Sequence, residues 1–204
     1  AWYPGQAAGT ALADVLFGDY NPAGRLPVTF YQSVDQLPTF EDYTMKGKTY
    51  RYFGGDPLYT FGYGLSYTTF SYSGLKLPET VKPGDTVPVA VTVQNTGDLA
   101  GEEVVQFYVS DVDASAPVPI RSLKGFERIA LKPGEKRVVE FSLSPKQLSL
   151  INNDLKRVIE PGIFEVSVGG MQPGGARTTA VVTTEVITGR FEVTGKVTEV
   201  NNGL

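Results

Sequence analysis

Apolar residues recur with a period of two along the second half of the chain. Val87, Val89, Val91 and Val93 alternate with Pro88, Ala90 and Thr92, and Val105, Phe107 and Val109 alternate with Gln106 and Tyr108. Val139, Phe141 and Leu143 alternate with Glu140 and Ser142, and Phe164, Val166 and Val168 with Glu165 and Ser167. Successive side chains of a strand point to opposite faces, so each run predicts a strand with one buried side. Turn signals separate the runs: Lys82-Pro83-Gly84-Asp85, Asn95-Thr96-Gly97-Asp98, Lys132-Pro133-Gly134-Glu135 and Glu160-Pro161-Gly162. Pro followed by Gly suits the two central positions of a type II turn. Strands and turns at this spacing predict an antiparallel β-sandwich of immunoglobulin type. Lys146 to Asn152 reads as a helical turn. The β-branched stretch Thr178 to Val200 supplies the last strand, after a Gly/Pro linker from Gly169 to Gly175.

The first third has a different texture. Ala8, Leu12, Val15 and Leu16 fall at helical spacing, with Pro4 ahead of them and Gly18 behind, which predicts a helix over Gln6 to Phe17. After the turn Asn21-Pro22-Ala23-Gly24, the run Arg25 to Phe30 reads as a short strand that Pro27 confines to an edge or a strand beginning. From Tyr31 to Tyr67 periodicity vanishes and Tyr, Phe, Gly and Pro crowd together. A connection this long without its own pattern is uncommon inside a compact domain. Its aromatics are expected to lie on another surface.

Composition narrows the chemistry. Of 204 residues none is Cys and none is His. Disulfides, thiolate sites, His-ligated zinc and His-based nucleophilic triads are therefore all excluded. A net charge of -4 and the lack of any long Lys/Arg run argue against nucleic acid as a partner. No apolar stretch reaches the roughly 18 residues of a membrane span. The start at Ala1, without an initiator Met or the basic and apolar regions of a signal peptide, gives the look of a piece cut from something longer.

Several small constellations carry ordinary readings. Asp111-Val112-Asp113 lacks the further ligands of a calcium loop and reads as a loop-capping pair. Glu102 and Glu103 are neighbours on a strand and face opposite ways, so they read as a solvated edge. Tyr50, Tyr52 and Phe53 suit either the apolar face of a sugar ring or packing beneath a neighbouring domain, the second being favoured. These residues give no metal site, no cofactor and no catalytic or substrate-binding residue.

Longer motifs carry a family resemblance. The segment Ala1-Trp2-Tyr3-Pro4-Gly5-Gln6, continued by Ala11 to Thr29, resembles the end of the second domain of glycoside hydrolase family 3. Phe40 to Phe53, Pro57-Leu58-Tyr59 and Phe61 to Tyr67 resemble that family's linker, and Arg121-Ser122-Leu123-Lys124-Gly125-Phe126 its fibronectin type III-like domain. The implied fold is mainly β: a fibronectin III-like antiparallel β-sandwich, preceded by a helix-strand remnant of an α/β-sandwich domain and a long wrapping linker. The implied division is 1–30, 31–67 and 68–200.

The resemblance implies the C-terminal structural portion of an exo-acting, retaining β-glycosidase. Within a family of β-glucosidases, β-xylosidases and relatives, the wording Tyr-Thr-Met-Lys-Gly-Lys-Thr-Tyr-Arg-Tyr-Phe looks most like the xylosidase and xylosidase/arabinofuranosidase members. Retaining chemistry needs two carboxyl groups about 5–5.5 Å apart. In the family these come from an N-terminal barrel and an earlier part of the α/β-sandwich domain. No carboxylate of this chain matches either motif, so the chain alone is expected to be inactive. Those two upstream units are its implied partners, and a β-linked glycoside the substrate of the whole enzyme. A periplasmic or secreted location is implied by resemblance alone. Trp2, Tyr50, Arg51, Tyr52 and Phe53 are the domain-interface candidates. Trp2, Leu12, Val15, Leu16, Phe17, Leu26, Val28 and Phe30 would face the absent parallel sheet. The alternative is a non-catalytic β-sandwich module that binds carbohydrate or serves adhesion.

Overall fold

The computed structural model describes residues 3–174 and 181–200. Its elements are α1 (Ala8–Phe17), α2 (Thr49–Tyr52) and α3 (Pro145–Leu148), with eleven strands: β1 (Phe70–Lys76), β2 (Thr80–Val81), β3 (Val87–Asn95), β4 (Gly101–Asp111), β5 (Ser122–Leu131), β6 (Lys136–Leu143), β7 (Leu150–Ile151), β8 (Arg157–Ile159), β9 (Gly162–Gly169), β10 (Val186–Val193) and β11 (Thr198–Glu199). One sheet has the order β1-β3-β6, and the facing sheet β2-β10-β9-β4-β5. A small sheet, β11-β8-β7, closes one end. The long pairings are antiparallel, and only the two-residue β2 runs parallel to β10.

The period-two runs form the strands they predict. Val87, Val89, Val91 and Val93 of β3 point inward, as do Val105, Phe107 and Val109 of β4 and Phe164, Val166 and Val168 of β9. Phe164 stacks on Phe191 of β10 with ring centroids 5.5 Å apart, and Phe107 on Phe141 of β6 at 5.0 Å. Two turns close as expected, with Asp85 N–H donating to the Lys82 carbonyl and Glu135 N–H to that of Lys132. The C-terminal β-branched stretch supplies β10, paired with β9 from Val186↔Gly169 to Val193↔Gly162. Part of the expected Thr178 start lies outside the described residues. The expected linker after Gly169 is in part buried, with Met171 and Gln172 both inside.

The strand expected over Arg25 to Phe30 is a correction. Phe30 makes one isolated bridge to Tyr59, and no strand forms. The backbone bonds of this segment go to the aromatic linker instead: Leu26 N–H donates to Tyr63, Gly62 N–H to Leu26, and Phe30 N–H to Tyr59. Pro27 has no N–H to give, which interrupts any regular ladder. Helix α1 forms as expected, yet no residue of it is buried. Leu16 is 75% and Phe17 84% exposed, so its apolar stripe faces away from the sandwich.

Strands β4 and β9 break the simple alternation. In β4 both Gln106 and Tyr108, on the side opposite Val105 and Phe107, are also buried. The linker covers that outer face, and this second burial creates the junction described next.

Candidate functional site

Two adjoining clusters join the residues ahead of the sandwich to it. In the first, the Arg25 guanidinium donates from Nη2 to Glu103 Oε2 at 2.9 Å and from Nε to the Gly170 carbonyl at 3.2 Å. Its Nη1 donates to the carbonyls of Ala23 and Gly24. The Glu103 side chain is fully buried and that of Arg25 nearly so. The other carboxylate oxygen, Oε1, accepts from Tyr72 Oη at 3.0 Å and Thr184 Oγ1 at 3.2 Å. Burial pushes the Glu103 carboxyl up, and Arg25, Tyr72 and Thr184 pull it back by favouring the charged form. Burial, with the negative charge of Glu103 beside it, raises the Tyr72 phenol well above its ordinary range. Tyr72 therefore acts as a donor here, not as an acid.

This corrects the reading of Glu102 and Glu103 as one solvated edge. The two do face opposite ways, but only Glu102 meets solvent, where it pairs with Arg128. Glu103 shares its face of β4 with the core residue Val105 and lies at one end of the space between the sheets. Arg25 reaches it from 78 residues away.

The second cluster is aromatic. Tyr50 stacks on Phe61 with centroids 4.2 Å apart, and both meet the Tyr108 ring edge-on. Tyr50 Oη accepts from the Leu123 N–H at 3.2 Å. Gln106 joins the two clusters: its Nε2 donates to the carbonyls of Gly62 and Gly170, and its Oε1 accepts from Tyr108 Oη. Burial drives the Tyr108 phenol far above its ordinary value, with Tyr50 adding to the shift. The approach is close enough to require glycine. A Cβ on Gly62 would lie 2.0 Å from Gln106 Oε1, and one on Gly170 would lie 1.9 Å from Glu103 Oε1.

The interface candidates divide. Tyr50 is anchored on the sandwich as described. Arg51 gives its carbonyl to Ile120 N–H at 2.7 Å, while its guanidinium lies 5.9 Å from the centre of the Tyr52 ring. Phe53 meets Tyr31 edge-on at 4.9 Å, and Tyr52 and Phe53 are half-buried. Trp2 lies outside the described residues. Not every linker aromatic is covered, since Phe40 and Tyr43 are almost fully exposed. Asp113 caps as expected, its Oδ2 accepting from Ile163 N–H at 2.8 Å. No group of three or more metal-ligating side chains occurs among the described residues, and none of their helices is long and apolar enough to cross a membrane.

On the side away from the sandwich, Arg25, Leu26, Pro27 and Phe30 form an apolar groove with Tyr59, Tyr63 and Leu65, of about 490 Å³. Among the described residues the junction is thus a polar anchor on its inner side, with an open apolar wall on its outer side.

Comparison with known proteins gives this arrangement a context. Residues 1–67 match the glycosyl hydrolase family 3 C-terminal domain, and residues 103–172 a fibronectin type III-like domain. The chain is 48% identical over 174 residues to a β-xylosidase of Formosa agariphila, covering 82% of this chain and 24% of that protein. It is 46% identical to a xylan 1,4-β-xylosidase of Xylanibacter ruminicola, over 83% of this chain and 19% of the relative. Among solved structures, the glucose complex of a β-glucosidase from Listeria innocua superposes with a TM-score of 0.78 at 35% identity, covering 96% of this chain and 27% of the other. The chain spans about a quarter of the length of the curated relatives it matches.

Proposed function

The chain belongs to glycoside hydrolase family 3, as the C-terminal part of such an enzyme, and on that premise we propose that it is the buttress of a β-glycosidase and performs no hydrolysis itself. The fibronectin type III-like sandwich is the rigid base. Residues 1–30 are the end of an α/β-sandwich domain whose sheet lies outside this chain. The Arg25–Glu103 pair ties residues 1–30 to the sandwich directly, and the linker over 31–67, held by Tyr50, joins one to the other. The substrate of the whole enzyme is a β-linked xyloside or glucoside, as the names of the relatives suggest.

One observation carries this reading: α1 and the Arg25–Phe30 groove turn their apolar side chains outward while Arg25 is locked inward on a fully buried carboxylate. Burying a large apolar side chain is worth roughly 1.5–3 kcal/mol. A helix that leaves Leu12, Leu16 and Phe17 exposed forgoes that gain unless another surface covers them. The carbohydrate-binding alternative loses its best candidates here, because Tyr50 and Phe53 are engaged with other rings of this chain.

The test measures hydrolysis of an aryl β-xyloside and an aryl β-glucoside by the 204-residue chain and by a full-length enzyme that includes it. No turnover by the chain and turnover by the full-length enzyme are expected, with Glu103→Ala lowering the inactivation temperature of the latter. Turnover by the chain alone, free of contaminant, would place a carboxylate pair within it and end the buttress reading. An unchanged inactivation temperature in the variant would remove the anchor from it.

A further inference from the structure

A cleft on the flank of the sandwich, away from the Arg25–Glu103 pair, gathers three cations from distant parts of the sequence. Arg51 comes from α2, Lys124 from β5 and Arg157 from β8, and all three line one space of about 280 Å³. Lys124 is placed there by a backbone irregularity. In the pairing of β4 with β5, Phe107 faces Gly125 while Tyr108 faces Leu123, so Lys124 is the extra residue of a β-bulge. A bulge re-aims the side chain it carries. The Lys124 carbonyl accepts from Gln147 Nε2 at 3.0 Å, which holds the bulge against the segment that begins with α3.

The positive charges are not directly paired from within. None of the three makes an ion pair among the described residues, and the Lys124 ammonium has no hydrogen-bond partner there. Arg157 Nη1 donates to Ser149 Oγ at 3.1 Å, and Arg51 lies over the Tyr52 ring. Burial lowers the Lys124 pKa, and the like charges of Arg51 and Arg157 lower it further. Asp111 is the one carboxylate lining the cleft. Its carboxyl is pushed up to about 6 by burial and by Glu160 and Asp113. Arg51 and Arg157 are exposed and Lys124 is half-buried, so the mutual repulsion bears most on the Lys124 ammonium, and an added anion would relieve it.

We propose that the Arg51–Lys124–Arg157 cleft is a binding site for a small oxyanion, a carboxylate or phosphate no larger than a monosaccharide acid. The two guanidinium groups offer forked donors that match either oxyanion, and the ammonium supplies a point charge. Ser122 lines the same space and adds a neutral hydroxyl, while Gln147 and Ser149, also in the lining, are engaged in holding Lys124 and Arg157 in place. The volume falls just below the range of about 300–1,000 Å³ common for drug-sized ligands, which sets the size limit. The same chemistry serves an acidic sugar or free phosphate.

The experiment titrates the 204-residue chain at low ionic strength with inorganic phosphate, D-glucuronate and, as a neutral control, D-glucose. It is followed by two-dimensional amide NMR and by thermal unfolding. Saturable shifts at Ser122, Lys124, Ser149 and Arg157 are expected with at least one anion and not with glucose. Lys124→Met, which keeps the aliphatic stem, should weaken that binding at least tenfold. Without ligand, the same variant should melt no lower than the parent, because it relieves repulsion. A tighter response to glucuronate assigns the site to acidic sugars, and a tighter response to phosphate assigns it to phosphate. Equal, unsaturable responses in the parent and Lys124→Met, or an equal response to glucose, would overturn the proposal.

Discussion

The sandwich and the segment that precedes it solve the same problem in opposite ways. Strands β3, β4 and β9 bury their apolar faces within this chain, with Val87, Val93, Val105, Val166 and Val168 fully enclosed. No residue of helix α1 is buried, although its apolar residues also fall on one face. What holds residues 1–30 in place is polar: the Arg25–Glu103 pair, and Asn21, whose Nδ2 donates to Ala100 while its Oδ1 accepts from Ser66 Oγ and Tyr67 N–H. The contrast teaches that amphipathicity tells that a face will be covered, and the geometry of polar anchors tells where the cover must come.

The largest effects should fall on the two inner structures. Phe164→Ala opens the rings of the core and should cost about 3–5 kcal/mol, seen as a drop in the denaturant midpoint. Glu103→Ala should cost a comparable amount, about 3–5 kcal/mol, because it strands the Arg25 guanidinium without its counter-charge. The double variant Arg25→Met/Glu103→Met should recover most of that loss. If it does not, the pair's packing rather than its charge is what anchors the segment.

A smaller effect belongs to Asp111. Its carboxyl, raised to about 6 from the usual value of 3.8, binds a proton in the folded state over a window in which the unfolded chain has released it. Stability therefore falls as pH rises from about 4 to 6, and the loss persists above that. Asp111→Asn should stabilise the protein at pH 8 by about 1–2 kcal/mol, discounted for the solvent-facing half of the group, and by almost nothing at pH 3.5. A pH-independent gain would trace the effect to something other than ionisation.

The smallest effect should be Leu16→Ser on the outer face of α1. In this chain it should change stability by no more than about 0.5 kcal/mol, the range of surface substitutions. A loss as large as that of Phe164→Ala would break the comparison, since α1 would then be packed on the sandwich or on a second copy.

The strands were legible because a strand with one wet face writes its orientation into every second residue. The KPG turns were legible for an equally local reason. Glu103 was not, because nothing beside it announces burial and its partner is 78 positions away. Nor was the outward burial of Gln106 and Tyr108: their alternation with Val105 and Phe107 reads as a solvated face until the linker covers it. The Arg25–Phe30 segment misled through β-favouring residues whose backbone partners come from the linker.

What the amino-acid order determined alone is therefore the set of elements: period-two strands, a period-3.6 helix and tight turns, all governed by steric preferences within a few residues. It also excluded every chemistry that needs Cys or His. Only the tertiary structure decided that Arg25 closes on Glu103, that Tyr50 seals against Tyr108, and that a bulge turns Lys124 into a cleft with Arg51 and Arg157. Charge pairing and desolvation depend on distances through space, and these are set only when sheets and linker have packed.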